Sequence, residues 1–425
     1  MNRSMRVSVA ALAVTTFALT AGCGRGDDPA AEEASAAPVA TGDVSGDITV
    51  WAMGTEGEKL GEFASAFTEE NPDVTVDVTA IPWDAAHDKI ATAIAADEVP
   101  DVSMIGTTWM GEFATSGGLD PTPPDLIDES AFFEGAWGST EVGGTSYAVP
   151  WYVETRVLFV DTALAEQAGV SPTPATWDDL MATSKGMQSA GAQWGITLQA
   201  GQTGAWQTFM PFAWQGGAEI MNADQTEFTF DSPEFVKALT YYQSFFTEGV
   251  APKELPDGTL EPDFVAGKIG AFQSGPWHIG ILDDTGGEGF LDSVTLAPLP
   301  ADEKQASFIG GSNLAVFKGS ENRDAAWKFV QWLSQPEVQA EWYAETSDLP
   351  AVQSAWEEGD LASDPALAVF GEQMTTAMAP PSIPTWEQIS NVIDTELEKV
   401  CKSGMDPQEA ATAIQQQAEA IGTGL

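Results

Sequence analysis

Tryptophan is the residue type with the most chemical promise in this chain of 425 residues, which holds 15 of them. Several stand beside Gly, Pro or a carboxylate where strand or helix patterns end: Trp109, Trp151, Trp206, Trp214, Trp277 and Trp386. An indole offers a flat, rigid apolar face at low entropic cost, which suits the C–H face of a pyranose ring. Sugar hydroxyls need acceptors and donors in the ring plane, and carboxylates, amides and Arg supply them. The segment from Pro150 to Arg156 brings Trp151, Glu154 and Arg156 together just ahead of the apolar run Val157 to Val160. At a surface such charges form an ion pair worth under about 1 kcal/mol; at a domain crossing they point into a cleft. Trp with Glu and Arg is the set a neutral carbohydrate site requires, and the plainer alternative for any one indole is the core.

Other chemistries lack their residues. The only histidines are His87 and His278, each read as structural or superficial, and no His/Cys cluster has metal-ligand spacing. No phosphate-binding Gly-rich loop, nucleophile elbow or dinucleotide fingerprint occurs. The expectation is therefore a chain with no metal, no cofactor and no enzymatic activity. A net charge of −48 disfavours nucleic acid and anionic lipid surfaces. The acids are scattered rather than blocked, as on a well-solvated surface.

The elements that must position these residues begin after an unusual start. Arg3 and Arg6, the apolar run Val7 to Leu19 and the small residues up to Gly22 describe an export signal over 1–22. It is shorter than the roughly 20 residues a membrane-spanning helix needs. Cys23 follows, and this arrangement resembles the bacterial lipobox, which implies lipidation of Cys23 and a protein anchored to the outer face of the cell membrane. Residues 23–46, rich in Ala, Gly, Pro, Asp and Glu, read as a flexible linker. No later stretch reaches about 18 uninterrupted apolar residues.

From 47 to 120 strand and helix signals alternate. Asp47 to Ala52, Val74 to Val78 and Val102 to Ile105 read as strands; Leu60, Phe63, Ala64 and Phe67, and the run Ala85 to Ala96, read as helices. That alternation predicts a mostly parallel sheet covered by helices, with a ligand crevice beyond the carboxyl ends of the strands. Thr55 and Glu56, and Thr108 and Trp109, follow directly on strands and so fall at that crevice. Helical spacing recurs over Pro233 to Phe246, Asn322 to Leu333 and Ile389 to Val400.

Several motifs together resemble the extracellular solute-binding proteins of bacterial ABC sugar importers, family 1, in the maltodextrin-binding-like branch. They are Trp51-Ala52-Met53-Gly54; Pro100-Asp101-Val102 into Thr108-Trp109 and Gly117-Gly118-Leu119; Val149-Pro150 with Glu154, Leu158 and Asp161; Gly267 to Phe272 leading to Gly275-Pro276-Trp277; Gly310-Gly311-Ser312-Asn313; and Ala326-Trp327-Lys328-Phe329. The match runs over nearly the whole chain after Cys23. It implies an α/β fold of the periplasmic-binding-protein-like type II, two α/β lobes joined by hinge crossings with a ligand cleft between them. By that analogy one lobe is 47–153 plus 294–338 and the other 154–293 plus 339–425. It further implies a monomeric receptor that closes over a neutral di- or oligosaccharide and passes it to the transmembrane subunits of an ABC permease. The resemblance carries ligand contact onto Thr55, Glu56, Thr108, Trp109, Glu154, Trp277, Trp386 and the loop Gln202 to Gln207, with Trp206 as platform. Trp151, Arg156 and Ser312 join them on chemistry and placement. Two other classes stay open at this point: a secreted glycoside hydrolase using paired carboxylates, and a quaternary-ammonium (betaine) receptor with a Trp cage.

Overall fold

Alternating polar and apolar residues form the opening strands where the sequence places them: β1 (Gly46–Met53), β2 (Val74–Ile81) and β3 (Val102–Gly106). This is a computed structural model describing residues 36–425 except 202–203, 223–224, 257 and 360. The expected export segment, Cys23 and the linker up to residue 35 lie outside the described residues. The linker's last part packs on the body: Arg323 donates to the Ala37 carbonyl at 2.7 Å, and Val44 is buried.

Along β1, Ile48, Val50 and Ala52 are fully buried while the residues between them are not. β3 is buried throughout, as a central strand covered on both faces must be. The remaining strands are β4 (Glu141–Val142), β5 (Thr145–Ser146), β6 (Val149–Thr155), β7 (Val157–Asp161), β8 (Ala271–Ser274), β9 (Val294–Ala297), β10 (Ser307–Val316), β11 (Leu349–Pro350) and β12 (Ala377–Met378).

One sheet runs β11-β6-β10-β3-β1-β2, with β12 on β10; a second runs β8-β7-β9; β4 and β5 pair alone. β1 is parallel to β2 and β3, because the helices Gly54–Phe63 and Trp83–Ala96 carry the chain back between them. The pairs of β10 with β3 and β6, of β11 with β6, and of β7 with β8 and β9 are antiparallel. The parallel expectation therefore holds for the first three strands and fails for most pairs beyond them, β10 with β12 being parallel again.

The buried residues form two large cores, and Phe159 of β7 and Phe272 of β8 reach from the second sheet into the first core. Ile48, Met104, Trp151, Trp327 and Trp342 belong to one, and Leu158, Trp177, Trp214, Tyr242 and Ile389 to the other. The fold is thus the expected mixed α/β, two-lobed type II architecture. The chain passes from β6 into β7 through Arg156 alone, and from β9 back to β10 through 298–306. The later crossings differ from the expected 294 and 338. β9 pairs with β7 in the second sheet, while the helix Pro336–Thr346 packs on Gly54–Phe63 and β11 extends the first sheet. Pro336 ends one helix but also starts the next, at whose first turn proline is tolerated.

Candidate functional site

The carboxyl ends of β2 and β3 lead straight into a cavity of about 450 Å³. Trp83 opens the helix after β2, and Thr107, Thr108 and Trp109 form one 3-10 turn after β3. The two indoles meet edge-on at 5.8 Å. Trp109 lies over Gly106, where a Cβ would come within 3.3 Å of the ring. Tyr152 and Glu154 of β6 and Phe308, Gly310 and Gly311 of β10 continue the wall. Gly311 is at φ +120°, and a Cβ there would stand 2.2 Å from the Tyr152 carbonyl oxygen, so only glycine fits this crossing.

The second core supplies the rest. Gly204, Trp206 and Gln207 come from the start of the helix Ala205–Gln215. The helix Trp386–Glu398 adds Glu387, Ser390, Asn391 and Asp394. These fall at the three- and four-residue steps that share one helix face, while Trp386, Ile389, Ile393 and Leu397 bury the other.

Asp394 ties the two helices together. Its Oδ1 accepts from the Trp206 N–H and its Oδ2 from the Gly204 N–H, each at 2.7 Å. Burial still raises its pKa above the usual carboxylate value, and the charge of Glu387 adds to this. Burial likewise raises Glu56, which accepts a hydrogen bond from the Tyr152 phenol; that phenol is itself pushed well up by burial and by the Glu56 charge. Behind this pair, burial and then Glu56 push Asp348 up to about 8. Glu154 faces Arg156 at 3.4 Å, and Arg156 Nη2 donates to Gln207 Oε1 at 2.9 Å. Among the described residues no Lys, Arg or His lines the cavity. The wall thus offers flat ring faces, carboxylate acceptors and amide groups able to serve as donor or acceptor.

Of the residues named from sequence, Thr108, Trp109, Glu154 and Trp206 line the cavity together. Glu56 and Arg156 stand one layer behind, touching Tyr152, Glu154 and Gln207. Gln202 and Thr203 lie outside the described residues. Thr55 is exposed in the first turn of its helix. Trp277 is 40% exposed and covers Arg156 at 4.5 Å instead of lining the cavity.

Three assignments are corrected. Trp151 is 1% exposed and stacks on Trp342 at 4.9 Å in the first core. Strand side chains alternate faces, so Trp151 and Glu154, three apart on β6, cannot both face the cavity. Trp386 is fully buried and meets Trp206 edge-on at 5.2 Å, backing that platform from inside the second core. Ser312 is 1% exposed in mid-sheet, and its hydroxyl donates to the Ile105 carbonyl.

Sequence reasoning missed Trp83, Tyr152, Phe308 and the polar face from Glu387 to Asp394. Trp83 follows β2 as Trp109 follows β3, so the same rule finds it. Strand alternation from Glu154 finds Tyr152. His278 is buried between Ser274 and Glu261, with its pKa lowered by burial; it does not line the cavity. No cluster of three potential metal-ligating side chains occurs among the described residues.

Comparison with known proteins adds to this geometry. The family model described as bacterial extracellular solute-binding protein matches residues 52–340. The sugar-binding protein MalE of Xanthomonas citri shares 33% identity, with a TM-score of 0.83 covering 88% of this chain and 97% of that one. The diacetylchitobiose-binding protein DasA of Streptomyces coelicolor is 27% identical over 96% of this chain and 97% of its own length. The GacH receptor of Streptomyces glaucescens, solved unliganded and with acarbose, is 26% identical, with a TM-score of 0.75 covering 89% of this chain and 99% of that one.

Proposed function

Because the chain belongs to the bacterial extracellular solute-binding proteins, we propose that it captures a neutral di- or oligosaccharide and delivers it to an ABC permease. The observation that carries this reading is the wall itself. Trp83, Trp109, Trp206, Tyr152 and Phe308 supply ring faces, and Glu154, Gln207, Glu387, Asn391 and Asp394 supply in-plane hydrogen-bonding groups. At about 450 Å³ the cavity falls within the roughly 300–1,000 Å³ of small-molecule sites.

Its lining comes from strand ends of one core and helices of the other, so a ligand touching both favours a closed arrangement by the difference in contacts between the two states. We assign Thr108, Trp109, Glu154 and Trp206 to direct ligand contact, and Glu56 and Arg156 to holding Tyr152, Glu154 and Gln207. Trp277 and Thr55 join only if closure brings them over the ligand. The export segment 1–22 would direct the chain out of the cell, and a diacylglycerol on Cys23 would keep this monomeric receptor on the outer face of the membrane, beside its permease. No hydrolysis belongs to this role: oligosaccharides incubated with the protein are expected back intact.

A thermal-shift panel tests the reading. At a concentration 100 times Kd a ligand adds about 2.7 kcal/mol to stability, an upward Tm shift of several degrees. A neutral di- or oligosaccharide is expected to produce it. A shift by a betaine alone, or by no saccharide in a broad panel, contradicts the proposal.

A further inference from the structure

Arg156 stops just behind the cavity. Its Nη1 and Nη2 face Glu154 Oε2 and Oε1 at 3.4 Å each, and Nη2 also donates to Gln207 Oε1 at 2.9 Å. Trp277 covers the guanidinium at 4.5 Å from its ring centre and Phe308 at 5.7 Å, leaving Arg156 9% exposed. Glu154, Gln207 and Phe308 themselves line the cavity, so the thickness of these side chains is all that separates the cation from the ligand space. The packing makes room for the pair: a Cβ on Gly310 would lie 2.5 Å from Glu154 Oε1.

The planar guanidinium fork is the side-chain group best matched to phosphate and carboxylate. Here a carboxylate of the protein already occupies it. We propose that Glu154 masks Arg156 and thereby sets the charge class of the ligand, admitting neutral saccharides and refusing phosphorylated ones. An incoming phosphate ester meets the Glu154 carboxylate where it needs the guanidinium, with Glu387 and Asp394 in the same wall and, among the described residues, no cation lining it. The inference rests on the saccharide reading above and deepens it.

Glu154→Gln keeps the size of the side chain and its ability to bond hydroxyls but removes the mask. The probes are whichever of maltose, cellobiose and lactose binds tightest, its 6-phosphate ester, and inorganic phosphate, all by calorimetry. Like-charge juxtaposition costs several kcal/mol, so the parent should bind the ester at least about 100-fold more weakly than the neutral sugar. E154Q should narrow that gap at least about 10-fold, chiefly by gaining ester affinity, and R156Q added to E154Q should restore it. An unchanged gap in E154Q, or a parent that binds ester and sugar alike, overturns the proposal.

Thermal melts check that the variants fold. Should E154Q not fold, Arg156→Gln alone decides: it leaves Glu154 unpaired, so the gap should widen, and a gap that narrows or stays overturns the masking. If none of the neutral sugars binds the parent, the saccharide reading itself fails. Inorganic phosphate then tests masking alone: binding by E154Q and not by the parent supports it, and equal behaviour of the two overturns it.

Discussion

The part of the cavity wall built from strand ends is aromatic, with Trp83 and Trp109, whereas the part built from the helix Trp386–Glu398 is polar, with Glu387, Ser390, Asn391 and Asp394. The first is placed by topology, since parallel strands deliver the residues that follow them to one edge of the sheet. The second is placed by helical periodicity, because the apolar face through Ile389, Ile393 and Leu397 is fixed against the second core. Most ring faces thus come from one lobe, with Trp206 the exception, and most hydrogen-bonding groups from the other. A pyranose needs both, so neither lobe should bind it well alone. Strand β6 repeats the contrast within a single element. Its Tyr152 and Glu154 face the ligand space while Trp151 between core neighbours does not.

The sharpest way to break this comparison is to truncate an indole on each side of it. Trp151→Ala empties a site in the first core, and the usual cost of such a change is about 3–5 kcal/mol of stability. A steep fall in denaturation midpoint is expected, with saccharide affinity of the folded fraction nearly unchanged. Trp386→Ala should behave alike in stability, because Trp386 is fully buried, but should also loosen Trp206. Trp109→Ala should do the reverse of Trp151→Ala: an affinity loss of about 2–4 kcal/mol, as for a central aromatic contact, with little change in melting temperature. If Trp151→Ala and Trp109→Ala gave the same profile, the division of β6 and the strand ends into core and site would be wrong.

A smaller effect probes the helix side. Asp394→Asn leaves one oxygen to accept where two backbone N–H groups now donate. Losing a charge-assisted bond of this kind costs about 1–3 kcal/mol, and it should appear in both affinity and stability because Asp394 serves both. An affinity unchanged within error would show that the polar face does not reach the ligand.

The mildest test is in pH. Asp348 sits at about 8 in the folded protein, above the ordinary carboxylate value near 3.8 that it regains on unfolding. A raised carboxyl binds its proton more tightly in the folded state, so this contribution to stability is complete below about pH 4 and is lost as pH rises through about 8. Asp348→Asn cannot ionise and should flatten that decline, its advantage over the parent growing toward pH 8 in denaturant titrations. Parallel stability curves for the two proteins would contradict the buried carboxyl.

Much of this was legible in the residues. Strand alternation placed β1, β2 and β3, and helical spacing placed the helices beginning at Trp83, Pro233, Arg323 and Trp386 to within a few positions. Trp109 follows a strand and Glu154 borders a crossing, and both line the cavity. Residue type alone points Trp151, Trp386 and Ser312 to the cavity, whereas all three are buried away from it. The parity of β6 already separates Trp151 from Glu154, and the apolar stripe of its own helix already claims Trp386. The pairing of β11 with β6, and the return of the helix Pro336–Thr346 to the first lobe, rest on contacts between segments nearly 200 and nearly 300 residues apart. No local pattern announces those contacts.

A crystal structure with a bound neutral oligosaccharide tests the central claim most directly. The account predicts a pyranose ring at van der Waals distance, about 4 Å, from the face of Trp109 or Trp206, with hydroxyls donated to Glu154, Glu387 or Asp394. A saccharide bound elsewhere, with those indoles bare, would contradict it.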